Sequence, residues 1–171
     1  MLPSLLTVAQ GLVALLSLGL WLMLVAASLH VLRLGLWAFR YPMDDPAPPA
    51  MDDAALPKVT VQLPMRNERL VAARAIRAAC ALSWPQERLQ IQVLDDSDAS
   101  DDTVAIVDAE VARQRLAGFD ITVVRRMERR SFKAGHLDYA LPLATGEFVA
   151  VLDVDFVPAS DFLRRLVPHL V

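Results

Sequence analysis

Phe148-Val-Ala-Val-Leu-Asp153-Val-Asp155-Phe-Val-Pro158 is the stretch on which the fold turns. Five apolar residues in a row, ended by two carboxylates spaced i, i+2, read as a buried parallel strand with a polar carboxyl end. Side chains alternate across a strand, so Asp153 and Asp155 share a face if the strand geometry persists to its end. In open α/β sheets ligands bind at this edge. Two hard oxygen donors there suit Mg2+ or Mn2+, which in turn holds phosphates. The competing reading is a solvated turn.

Upstream, the same alternation of short apolar runs and amphipathic segments recurs. Val59 to Leu63 reads as a strand stopped by Pro64, followed by a turn through Asn67 and Glu68 into a helix from Glu68 to Leu82. Leu89 to Leu94 is the next strand, ending in Asp95 and Asp96. Thr103 to Leu116 reads as a helix with Ser100 or Asp101 as its cap and Gly118 just past its end. Ile121 to Val124 is a third strand, followed by a cluster running from Arg125 to Arg130. A helical segment from Lys133 to Leu143 leads to the Phe148 strand, and Ser160 caps a last helix. Strands alternating with helices predict a parallel sheet with right-handed crossovers. The polar clusters then all fall at strand carboxyl ends: Asn67 with Glu68, Asp95 with Asp96, the arginines, and Asp153 with Asp155. Clusters converging on one sheet edge define a site.

The chain's six glycines form neither a Gly-x-Gly-x-x-Gly nor a Walker A pattern, so a phosphate must be held by a metal and side chains instead. The arginine cluster reads as a solvated face that could also touch lipid headgroups. Met65, Met127 and Cys80 read as packing residues. Lys58 and Lys133 are the two lysines among 17 basic residues, which favours a specific point contact at Lys133.

The N-terminal part has a different composition. Its first 32 residues carry no charged side chain, and the mean hydropathy of the whole chain is +0.38. Leu2 to Leu32 is long enough to span the roughly 30 Å hydrocarbon core and too long for a signal-peptide apolar region. Residues 1–40 therefore read as a transmembrane helix and its flank. Arg33 and Arg40 follow the run with no counterpart before it, which places the C-terminal side in the cytoplasm, on a plasma or inner membrane crossed once. Residues 41–58 hold five of the eleven prolines and four aspartates, and read as an extended linker. The soluble domain is thus expected over 59–171. The single cysteine allows no internal disulfide, and no nucleic-acid partner is expected.

Five segments stand in order along the chain: Val61-Gln-Leu-Pro-Met-Arg-Asn-Glu68, Ala78-Ala-Cys-Ala-Leu-Ser-Trp-Pro85, Ile91-Gln-Val-Leu-Asp-Asp-Ser-Asp98, Phe132-Lys-Ala-Gly-His-Leu137 and Val151-Leu-Asp-Val-Asp-Phe156. Together they resemble the motifs of family-2 inverting glycosyltransferases, and within them the cellulose-synthase-like branch that includes glucomannan β-mannosyltransferases. The resemblance implies an α/β GT-A nucleotide-sugar-binding fold. It implies that Asn67, Glu68, Asp95 and Asp96 face the nucleoside, Lys133 the diphosphate region, and Asp153 and Asp155 a Mg2+ or Mn2+ ion. The partners it implies are a UDP- or GDP-hexose, a polysaccharide acceptor and the lipid bilayer. His136 departs from the small or amide residue usual at its position. The Thr-Glu-Asp and Gln-x-x-Arg-Trp motifs of the family's second half do not occur before Val171. The chain is therefore expected to be the donor-binding half of a larger enzyme, inactive alone, with its general base beyond Val171.

Two rival readings stand beside this one. An apolar run followed by Asp-x-Asp-x-Val also fits the nucleophile loop of a haloacid-dehalogenase-type phosphatase, with Asp153 attacking phosphate, although that loop opens its domain and this one comes late. A non-catalytic, membrane-tethered nucleotide-binding module is the other.

Overall fold

A computed structural model describes residues 4–41 and 47–171. Contacts divide the chain into a unit ending at Pro46 and one running from Ala47 to Val171. The first unit is helix α1 (Leu5–Arg40), 36 residues long, with the Ser4 hydroxyl accepting from the Thr7 N–H at 3.3 Å. At 1.5 Å per residue it is about 54 Å long, well over the hydrocarbon core of a bilayer. Among the described residues it is the one helix long and apolar enough to cross a membrane by length and composition. Large apolar side chains such as Leu12, Leu16, Trp21 and Val31 stand exposed along it.

The second unit is a four-stranded parallel sheet. Its strands are β1 (Val59–Met65), β2 (Leu89–Asp95), β3 (Asp120–Val124) and β4 (Phe148–Val151), in the order β3-β2-β1-β4. Crossovers run through α2 (Ala72–Cys80), α3 (Thr103–Leu116) and α4 (Phe132–Ala140), and the short α5 (Phe162–Leu166) follows β4. The two faces of this sheet differ sharply. Odd-numbered residues, Val59, Val61, Leu63, Ile91, Val93 and Ile121, join Ile76 of α2 and Val107 and Val111 of α3 in the main core. Glu110, buried between these helices, accepts from Arg77 and is paired with Arg113, each at 3.0 Å. On the even-numbered face, Leu94 and Val124 pack with Ala140 and Leu137 of α4.

The rest of that even face is a polar layer. Thr60 donates to Gln90 Oε1 (2.7 Å), and Gln62 donates to Gln92 Oε1 (2.8 Å). The segment joining α4 to β4 lies over them, with the Thr145 and Gly146 N–H groups donating to Gln90 and Thr60 and Gln90 donating to the Leu143 carbonyl. These side chains satisfy backbone groups of an irregular segment that would otherwise be buried unpaired. A Cβ on Gly146 would collide with the Thr60 backbone, so glycine is what lets the segment come this close. Gln62→Leu should leave Gln92 Oε1 without its donor and lower stability by about 1–2 kcal/mol, whereas the double change to leucine should recover most of the loss. Chemical unfolding of the four proteins of this cycle tests it.

Several expectations are corrected. The Phe148 strand is not buried on both faces: β4 is an edge strand, and Val149 and Val151, paired with Thr60 and Gln62, are exposed. Pro64 does not stop β1, which runs on to Met65. Lys58 and Gln62 turn their carbonyls toward β4, accepting from Glu147 and Leu152. Pro64 shares that orientation but lies beyond the last β4 pair, so its missing N–H costs no ladder bond. The helix expected from Glu68 starts only at Ala72, because Glu68 to Val71 forms a turn in which the Glu68 carbonyl accepts from Val71 and Ala72.

The expected linker is also shorter. Residues 42–46 lie outside the described part, but Leu56 is in the core, and the Trp84 indole and Arg88 guanidinium donate to the carbonyls of Pro57, Ala54 and Leu56. Composition hid this because much of the attachment is made by backbone carbonyls, with Leu56 and Met51 packing on the core and Asp53 pairing with Arg164.

Candidate functional site

The parity of the sheet decides where each acid goes. Asp95, the last residue of β2, belongs to the odd face and is fully buried against α3, where Arg125 donates to it (Nε 2.9 Å) and also pairs with Asp108 of α3 (2.9 Å). Its other oxygen accepts from the Ser97 N–H. Asp96, one residue on, turns to the even face under α4. There Arg126 grips it with two donors, Nε to Oδ1 at 3.0 Å and Nη2 to Oδ2 at 2.6 Å. Both side chains are nearly buried, at 5% and 8% exposure, and Arg129 lies 3.6 Å from Asp96 Oδ2. Burial alone would raise the Asp96 carboxyl. The Arg126 hydrogen bonds, with the charges of His136, Arg126 and Arg129, more than offset this and hold it below the usual carboxylate range.

Arg126 also organises the loop into α4. Nη1 donates to the Arg130 carbonyl and Nη2 to the Phe132 carbonyl, both at 2.7 Å. Between these contacts Ser131 and Phe132 adopt φ of 55° and 45°, left-handed conformations that cost a non-glycine residue about 1 kcal/mol or more each. Gly135 completes the arrangement, since a Cβ there would run into the Arg130 carbonyl. The result presents Lys133 and His136 beside Asp96. With Pro64, Met65, Arg66, Glu68, Arg129 and Phe132, these three residues line one cavity.

The other predicted residues are placed as follows. Glu68 lines this cavity. Asn67, at φ 54°, instead ties the β1 loop to the β2 loop: its amide donates to Asp98 Oδ2 (2.9 Å) and accepts from the Asp98 N–H (3.0 Å). Asp95 and Asn67 thus do not line the cavity. The geometry of Asp153 and Asp155 needs a correction, because regular strand ends at Val151 and Asp153 to Phe156 is a turn, closed by the Phe156 N–H donating to the Asp153 carbonyl (3.0 Å). Burial nevertheless still alternates, with Leu152 and Val154 in the core and both aspartates exposed. Lys133 reaches across to pair with Asp153, which joins the cavity to the aspartate turn.

As a cation site, this donor set fits one pattern. Among the described residues no group of three or more His, Cys, Asp or Glu could hold a metal. Two exposed carboxylates are too few for an all-protein cage but suit an ion that takes the rest of its shell from substrate phosphates and water, as Mg2+ usually does.

Sequence reasoning set the arginines at the converging edge but gave Arg126 and His136 no role in the site, and took Met127, which is fully exposed, for a packing residue. A signal for the arginines was present. β2 and β3 pair at a constant offset, Gln90 with Asp120 through Leu94 with Val124. Continuing it sets Asp95 opposite Arg125 and Asp96 opposite Arg126. Cys80 is a packing residue as expected: burial first, then Glu110, pushes its thiol up to about 12, so it stays protonated.

Comparison with known proteins agrees with this arrangement. Residues 60–171 match the model of glycosyl transferase family 2. The chain is 42% identical over 134 residues to glucomannan 4-beta-mannosyltransferase 1 of Oryza sativa subsp. japonica, covering 74% of this chain and 25% of that protein. It is also 42% identical over 125 residues to glucomannan 4-beta-mannosyltransferase 9 of Arabidopsis thaliana, covering 71% and 23%. The chain thus spans about a quarter of the length of these relatives. Among solved structures, the mannosyltransferase PcManGT from Pyrobaculum calidifontis, in complex with GDP-Man and Mn2+, superposes with a TM-score of 0.69 at 30% identity, covering 88% of this chain and 43% of that one. The GT-A-like fold follows from that superposition, and nothing in these matches favours the phosphatase reading of Asp153. On the family match over most of the sheet, this chain belongs to glycosyl transferase family 2.

Proposed function

We propose that the chain is the donor-binding part of a membrane-anchored, inverting β-hexosyltransferase that passes a hexose from a GDP- or UDP-sugar to a polysaccharide acceptor. The observation that carries the reading is the pairing of Lys133, in the cavity beside Asp96, with Asp153 of the aspartate turn. One side chain links a place for a nucleoside to a place for a cation. In this reading Asp96 and Glu68 accept hydrogen bonds from the nucleoside. Asp95 and Asn67 act one step back, Asp95 by fixing Arg125 and Asn67 by tying the two loops. The Lys133 ammonium, a compact point charge, meets the diphosphate. Asp153 and Asp155 would hold Mg2+ or Mn2+, which supplies a Lewis acid that neutralises the leaving diphosphate. Inversion needs a general base for the acceptor hydroxyl, and we assign no described residue to it.

The relatives named for mannosyl transfer and the neighbour solved with GDP-Man make GDP the first nucleotide to test. Calorimetry on the full chain in nanodiscs should show GDP binding strengthened by Mn2+ and tighter than UDP. Asp96→Asn should weaken GDP roughly tenfold, the worth of a hydrogen bond to a charged group, while keeping the response to metal. Binding that ignores both Asp96 and metal would remove the reading.

The anchor is α1, with the second unit on the cytoplasmic side, as Arg33 and Arg40 after the apolar run favour. A reporter fused after Val171 should be active in the cytoplasm, and activity confined to the other side of the membrane would reverse the topology.

A further inference from the structure

We propose that His136 is a positioning residue for Asp96 whose ring takes up a proton when a nucleoside diphosphate fills the cavity, so that nucleotide affinity rises as pH falls below neutrality. The inference rests on the reading of the Asp96 cavity as the nucleotide site.

The ring, 1% exposed, lies between two oxygens. Nδ1 is 3.1 Å from Asp96 Oδ1, and Nε2 is 3.1 Å from the Val124 carbonyl oxygen. Both partners can only accept, because Arg126 keeps Asp96 ionised and a carbonyl carries lone pairs alone. A neutral imidazole has one N–H, so one of its nitrogens would turn a lone pair toward an oxygen. The imidazolium satisfies both contacts. Its Nδ1 donation would also help fix Asp96 Oδ1, the oxygen to which Arg126 Nε donates.

Against this geometry stands the charge of the surroundings. Burial most of all, and Arg126 with it, disfavour the protonated ring, while Asp96, the Val124 carbonyl and Asp95 favour it. The balance leaves the His136 pKa below its ordinary value. From α4 Lys133, from the β3 loop Arg129, and from the β1 loop Arg66 and Glu68 face the same cavity. The cations outnumber the acids there. A diphosphate, even with its cation, shifts that balance toward negative charge, and the hydrogen-bond geometry already favours the charged ring. Because the ring's pKa is then higher in the complex than in the free protein, binding takes up a proton, and affinity climbs as pH drops toward the free value.

The test is GDP binding to the full chain in nanodiscs with Mg2+, by calorimetry from pH 8 to pH 6 in buffers of different ionisation enthalpy. The expected result is net proton uptake and an affinity that rises as the pH falls, with about tenfold as the full gain for each pKa unit by which binding raises the ring. His136→Gln should weaken binding and flatten this dependence; protonation of the nucleotide itself is common to both proteins and cancels. The second measurement needs no variant. With 15N-histidine labelling, the chain gives signals from three histidines, and the buried one should become doubly protonated on addition of GDP. The same pH profile in wild type and His136→Gln, or a ring that stays neutral with GDP bound, would overturn the proposal. If wild type binds no GDP at any pH while remaining folded, the nucleotide reading itself fails and takes this inference with it. If His136→Gln does not fold, the labelled wild-type ring decides.

Discussion

Arg126→Ala should lower the stability of the second unit by roughly 3 kcal/mol, about 10 °C in Tm for a unit of this size. The wild-type side chain makes four donations, two to Asp96 and one each to the carbonyls of Arg130 and Phe132. Its loss leaves a nearly buried carboxylate without its main partner and releases a loop held in left-handed conformations. The expected cost sits at the low end of the range for breaking a buried pair, because Asp96 borders a cavity that water can enter. Arg126→Lys should fall between, keeping the charge but losing the fork that grips both Asp96 oxygens. Arg130→Ala, at an exposed side chain paired with Glu128, should change little. Thermal unfolding followed through Trp84, whose indole is buried against the Pro57 carbonyl, reads the series. A shift under 2 °C for Arg126→Ala would show that the network carries no net stability.

Asp155→Ala should remove the dependence of nucleotide binding on metal, lowering GDP affinity in saturating Mn2+ by about 100-fold or more. Outer-shell partners of metal ligands are worth 10–100-fold, and a direct ligand in a site with two protein carboxylates should be worth at least the upper figure. Its folding should be unaffected, since Asp155 is exposed in a turn while its neighbour Val154 supplies the packing. Asp153→Ala is the less clean variant, because it also frees Lys133 from its ion pair. Metal titrations at fixed GDP, with unfolding measured alongside, separate the two losses. Metal-stimulated binding that survives Asp155→Ala would take the cation away from this turn, and a phosphoenzyme trapped on Asp153 would revive the phosphatase reading.

Local periodicity carried most of the fold. Thr103 to Leu116 appears as α3 with the expected limits, and the four strands fall where apolar runs predict them. What stayed hidden depends on partners distant in sequence. Gln62 and Gln92 alternate with Val61 and Val93, a pattern that carries no sign of how the polar side is covered. In the fold both are buried, Gln62 donating to Gln92 Oε1. Four arginines within six residues read as solvated because each charge, taken alone, is cheapest in water. Arg126 is nearly buried because Asp96 is already there to meet it. Asp95 and Asp96 looked equivalent as neighbours in sequence, but adjacent residues leaving a strand face opposite ways.

The edge formed by β4 has a consequence for how the protein behaves in concentrated solution. Val149 and Val151 are exposed on one side of this strand, and Phe148 and Val59 border an apolar groove with Phe162 and Leu166 of α5. Natural sheets blunt such rims with lysine, proline or a bulge, and none of these occurs from Phe148 to Val157. Colloidal stability therefore depends on the carboxylates next to the rim. High salt, which screens Asp153 and Asp155, should drive self-association of this fold well before it unfolds it.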